Sequence, residues 1–147
     1  MITENYVSYE VAKLLKEKEF EQEPDYATSW YANQYYKNSC QGEWFEGEHQ
    51  IIEDIDDKCN ISYLSERGVF IPAPTLQMAM KWLREEHNLF IFPFPQMNTN
   101  KFWTEIYQLS DNQEWENLYC ESIDLQDYST YEEACEAALK YCLENLI

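Results

Sequence analysis

The sequence predicts an α+β fold: a single compact domain over residues 1–147, with an antiparallel sheet of three or more strands packed by about three helices. Three observations lead there. Capped amphipathic segments with helical periodicity occur near the start, in the middle and at the end of the chain. A strand-rich block with a polar turn lies between the last two. The length of 147 residues suits one domain, and such a chain buries about 70% of its unfolded surface, enough to fold without disulfide or metal.

The first helix is expected over about Tyr9–Lys18. Ser8 serves as N-cap, Glu10 sits in the first turn, and Val7, Val11, Leu14 and Leu15 repeat at helical spacing, with Pro24 ending any continuation. Residues 25–50 concentrate Tyr26, Trp30, Tyr31, Tyr35, Tyr36, Trp44 and Phe45 among small polar residues, which suits a twisted hairpin or an irregular layer over the core. An acidic segment follows (Glu43, Glu46, Glu48, Glu53, Asp54, Asp56 and Asp57), read as a solvated loop flanking a short strand at Gln50–Ile55. The second helix starts at Ala73-Pro74-Thr75 and runs to about His87, with Leu76, Ala79, Met80 and Leu83 on one face. Met78 and Trp82 lie off that stripe, so this helix is covered on more than one side or docks a partner.

Leu89–Phe94 is an apolar strand that Pro93 and Pro95 restrict to a sheet edge or to a strand that stops there. Phe102–Leu109 and Trp115–Ile123 alternate, and Ser110–Glu114 joins them as a hairpin. The last helix opens on two capping boxes, Ser129 with Glu132 and Thr130 with Glu133. Its expected core face is Tyr131, Ala134, Cys135, Ala138, Leu139, Cys142 and Leu146.

Charge narrows the function. Ten Lys and Arg stand against 28 Asp and Glu, a formal net charge of -18. There is no basic stripe, and DNA or an anionic membrane would be repelled, so no direct nucleic acid binding is expected. Hydrophobic content of 45% with 16% aromatics excludes a disordered acidic tail. No apolar run reaches the roughly 20 residues of a membrane span. Acids occupy MITENYVSYEVAK where a signal peptide has a basic region and an apolar core, so a reducing cytoplasm is the expected location.

Chemical motifs are sparse. Gly42, Gly47 and Gly68 are too scattered to make a phosphate-cradling loop. Asp54-Ile-Asp56-Asp57-Lys58 resembles the start of a calcium loop, but Cys59 and Ser65 stand where that loop needs Gly and Glu. Cys40, His49 and Cys59 lack zinc spacing and a fourth ligand. His49 and His87 accompany five thiols, yet no local context activates one. Neither metal nor cofactor is expected. Glu105, between Trp103 and Tyr107, is the one acid in an aromatic setting; the plainer reading is an outward strand residue.

Three segments, YVSYEVAKLLKEK at 6–18, IPAPTLQMAMKWLREEHNLFI at 71–91 and TYEEACEAALKYCLENLI at 130–147, resemble a family of small acidic proteins encoded by phages and integrated elements of Bacteroides-type gut bacteria. The resemblance covers about a third of the chain and rests on helix starts and core faces. The family has no assigned activity, so no catalytic residue is implied. What it implies is a setting, a mobile-element accessory protein made inside a bacterial cell.

Three functions are compatible with these features. The first is a non-enzymatic counter-defence inhibitor that binds a host immune component with a basic surface. It would use an acidic, aromatic-rich surface. The second is a sponge for a nucleotide immune signal, of cyclic nucleotide or ADP-ribose type, held at a homo-oligomer interface. The third is a small enzyme with an acidic, aromatic cleft. The residues placed at the site are Trp30, Tyr31, Tyr35, Tyr36 and Trp44 for stacking and Arg67 and Arg84 for phosphate, with the acids of 43–57 as the charged surface.

Overall fold

The computed structural model describes residues 2–20, 29–32, 34–37, 41–44, 50–53, 70–118 and 127–147. The fold class is α+β: three helices and antiparallel strands among the described residues. Two compact units make up the chain, Tyr6–Thr75 and the remainder, Met1–Asn5 with Leu76–Ile147.

In the Tyr6–Thr75 unit, α1 spans Tyr9–Glu17, and the Val11 N–H donates to the Ser8 side chain at 3.3 Å. Its end is set by hydrogen bonding, well before Pro24. The Glu19 N–H reaches the Lys16 carbonyl and the Phe20 N–H the Leu15 carbonyl, at 3.1 and 2.9 Å. This is the paired closure in which a left-handed residue satisfies the last carbonyls. Glu19 takes that position at φ 65°, a region that favours glycine, while Phe20 and Leu15 are both buried. Four short strands and a fifth follow: β1 (Ser29–Ala32), β2 (Gln34–Lys37), β3 (Gln41–Trp44), β4 (Gln50–Glu53) and β5 (Phe70–Pro72). β1 is the centre of a β4-β1-β5 sheet, and β2 and β3 form the hairpin expected in the aromatic stretch. The Val7 N–H donates to the Pro74 carbonyl at 3.0 Å, joining the chain entry to the segment after β5. Val7, Val11, Ala12, Leu15, Phe20, Ile71 and Ala73 are buried here.

In the other unit, α2 (Leu76–His87) and α3 (Tyr131–Asn145) pack on one face of a β6-β7-β8 sheet: β6 (Leu89–Pro95), β7 (Phe102–Leu109) and β8 (Trp115–Asn117). The Leu76 N–H donates to the Asn5 carbonyl at 2.9 Å. Asn88, at φ 54°, turns the chain from α2 straight into β6. Ser110–Glu114 closes β7 onto β8, with the Glu114 N–H on the Ser110 hydroxyl at 3.1 Å. β8 is shorter than the strand expected to reach Ile123, and residues 119–126 lie outside the described ones. Thr130 caps α3 by accepting from the Glu133 N–H at 3.1 Å, and the Glu133 carboxylate reaches back to the Ser129 N–H at 3.2 Å. Of the expected core face, Ala134, Cys135, Ala138, Leu139 and Cys142 are buried, joined by Leu143. Tyr131 is exposed instead: it sits in the first turn and meets Phe102 edge-on, ring centres 6.3 Å apart. Trp82, off the α2 stripe, is buried with its ring against His87 at 4.7 Å, so α2 is covered on more than one side.

Two stability outcomes follow from this packing. Glu19→Gly should raise unfolding free energy by about 1 kcal/mol in urea titration, since glycine has no side chain to strain at positive φ. Thr104 is wholly buried, and its hydroxyl has no hydrogen-bond partner among the described residues. Thr104→Val should therefore stabilise by about 1 kcal/mol, whereas Leu139→Ala, in the same packed layer, should cost about 3 kcal/mol.

Candidate functional site

Alternation along β6 and β7 builds the site. Leu89 and Ile91 of β6, with Thr104 and Ile106 of β7, are buried. Neighbouring strand positions face opposite ways, so Phe90, Phe92 and Phe94 on β6 and Trp103, Glu105 and Tyr107 on β7 line the other face. The β7–β8 register, Tyr107 with Asn117 and Leu109 with Trp115, adds Trp115 to it. Trp115 is 54% exposed, Phe92 40% and Phe94 37%, far above core values. Large apolar side chains exposed together on one face mark a candidate interaction surface.

The rings brace one another. Phe94 stacks on Trp103 at 5.0 Å between centres, and Phe90 stacks with Phe92 at 6.4 Å. Phe90 meets Trp115 edge-on at 4.8 Å, and Phe92 meets Tyr107 edge-on at 5.6 Å. Such pairs contribute about 0.5–1.5 kcal/mol each beyond their buried area, so the face is pre-organised. Glu105 stands directly across from Phe92. The Tyr107 hydroxyl donates to its Oε2 at 2.9 Å and accepts from Asn117 Nδ2 at 3.4 Å. That bond to Glu105, then partial burial and the nearby negative charge, push the Tyr107 phenol above its usual range and keep it a donor.

The residues placed at the site by composition fare differently. Trp30 and Tyr31 occupy adjacent positions of β1 and are half-buried. The Tyr31 hydroxyl donates to the Val7 carbonyl and its ring meets Tyr9 edge-on at 5.6 Å, so Tyr31 braces α1. Tyr35 and Tyr36 lie on β2, where Tyr35 pairs with Glu43 and Tyr36 with Gly42, and Trp44 pairs with Gln34. Glu53 pairs with Ser29. The side chains of Tyr35, Tyr36, Glu43, Trp44 and Glu53 lie outside the described ones, as do Arg67, Glu46, Glu48, Asp54, Asp56 and Asp57 altogether. Arg84 is half-buried on α2, in the layer on the opposite side of the sheet from the aromatic face.

Among the described residues, no three His, Cys, Asp or Glu come together as a metal site, and no helix is long and apolar enough to cross a membrane. A concavity of about 150 Å³ lies at the first turns of α2 and α3, lined by Asn5, Gln77, Tyr131 and Glu132 among others, and another of about 190 Å³ lies along α1. Both are smaller than the roughly 300 Å³ at which small-molecule sites begin. Searches against protein-family models, curated proteins and solved structures find no match to this chain.

Burial pushes the Cys135 thiol up to about 11 and the Cys142 thiol to about 12, against an ordinary 9.0. At neutral pH both stay protonated and make poor nucleophiles. In the unfolded chain they ionise near the ordinary value, so above it the folded state binds more protons and stability falls as pH rises. Their contribution is whole below pH 9.0 and lost progressively toward 11 and 12. In denaturant titrations taken from neutral to alkaline pH, Cys135→Ala/Cys142→Ala should lose less stability above that value than the parent chain.

Proposed function

We propose that the protein is a non-enzymatic binding protein that docks a partner protein on the aromatic face of the β6-β7-β8 sheet. In the mobile-element setting implied by the resemblance, that partner is a basic component of the host's immune machinery, and binding inhibits it. The observation that supports this reading most is the exposed, braced aromatic face with a carboxylate at its centre. Aromatic side chains in such patches supply most of the energy at protein interfaces. A charge of -18 steers cationic partners toward the chain and repels polyanions.

The nucleotide-sponge reading finds less support at this face. Between residues 88 and 118 the only base is Lys101, against Glu105, Asp111, Glu114 and Glu116. A phosphate stacked there would meet a carboxylate, and Arg84 belongs to the layer on the sheet's other side.

Affinity capture from a bacterial lysate compares the parent chain with Phe92→Ala/Trp115→Ala, two exposed positions whose loss leaves the core intact. A basic protein should be retained by the parent, released steeply by added salt, and lost from the variant, while a nucleotide panel leaves the melting temperature unchanged. Equal retention by both chains, or a nucleotide-induced rise in melting temperature, would overturn the reading.

A further inference from the structure

Resting on that reading of the face, we propose that Glu105 and the rings around it form a seat for the guanidinium of an arginine presented by the partner. Glu105 is half-buried at the middle of β7, with Phe92 opposite and Trp103 and Tyr107 two positions away on either side. The Tyr107 hydroxyl holds one of its oxygens at 2.9 Å, which orients the carboxyl group. No cation of the described chain pairs with it. A half-buried, oriented carboxylate with aromatic neighbours is a ready hydrogen-bond acceptor for an incoming cation.

The surroundings specify which cation. A guanidinium is planar and weakly hydrated, so it can lie on ring faces while its N–H fork meets a carboxylate. Phe92 stands across the strand pair from Glu105 and Trp103 two positions along it, so aromatic rings flank the carboxylate that the fork would meet. An ammonium is a compact, strongly hydrated charge and gains less from such a seat. Neutral side chains would leave the carboxylate unpaired, and anions would be repelled.

The probe is a short arginine-rich peptide, compared with its lysine and citrulline counterparts and followed by the fluorescence of Trp103 and Trp115. The arginine peptide should bind at least about tenfold more tightly than the lysine peptide, with the citrulline peptide weakest, as a charge-assisted hydrogen-bonded contact requires. Glu105→Gln, of the same shape, should abolish the preference for arginine over lysine with the melting temperature unchanged. Tyr107→Phe should reduce it while leaving the aromatic surface in place. Equal binding of the arginine and lysine peptides to the parent chain would overturn the guanidinium seat, and that comparison needs no variant. Retention of a captured protein that Phe92→Ala/Trp115→Ala abolishes but Glu105→Gln leaves unchanged would also overturn it, with the docking face still standing. Insensitivity to both variants would remove the docking face itself.

Discussion

The contact on which the site depends is the one between α3 and a single side of the β6–β7 pair. Ala134, Cys135, Ala138 and Cys142 are small, so the helix can lie close to the sheet, and Leu139 and Leu143 fill the remaining space. Burying Leu89, Ile91 and Ile106 in that layer leaves the alternate residues no choice of side. An outward face must exist. Its chemistry is a separate matter, and in an ordinary two-layer fold it would carry threonine, lysine and glutamate. Here it carries phenylalanine, tryptophan and tyrosine, which core packing does not require.

Such a face is also a hazard, since exposed apolar surface beside open strand edges invites chains to stack and pair. Two features oppose this. Pro93 and Pro95 remove N–H donors from β6, an edge strand of its sheet, and so blunt it as a template. The chain's net charge of -18 makes copies repel one another, which disfavours association through like faces. Acidity therefore does two jobs. It disfavours stacking of the aromatic face on its own kind, and on the reading proposed above it draws in a cationic partner.

Much of the fold is legible in the sequence because its signals are local. Ser8 and Thr130 announce helix starts through side chains that satisfy specific N–H groups, and β7 runs between the ends its alternation marks, Phe102 and Leu109. What is not legible depends on knowing what lies on each side of an element. LFIFPFP is apolar throughout, so periodicity cannot separate Leu89 and Ile91, which are buried, from Phe92 and Phe94, which are exposed. The end of α1 near Lys18 is legible from its periodicity, but the closure that makes it is not: its left-handed residue is Glu19, where a sequence reading looks for glycine. Aromatic density points to residues 25–50, yet density does not say which rings share a face, and Tyr31 serves packing. Glu105 was visible through its neighbours Trp103 and Tyr107; the phenylalanines across the sheet became its neighbours only through strand pairing.

An antiparallel sheet with helices behind it and aromatic rings in front is also a geometry on which single-stranded RNA can stack its bases. Stacking alone does not choose between a base and a guanidinium, since both are planar. Charge chooses. Each stacked nucleotide brings a phosphate that needs a cation nearby, and nucleic-acid platforms accordingly combine their rings with lysine and arginine. This sheet carries Glu105 at its centre, and Lys101 is the only base in the segment that forms it. On so acidic a chain a polyanion meets repulsion both in the long-range field and at the contact itself. The same geometry with the opposite charge favours a partner that brings the cations.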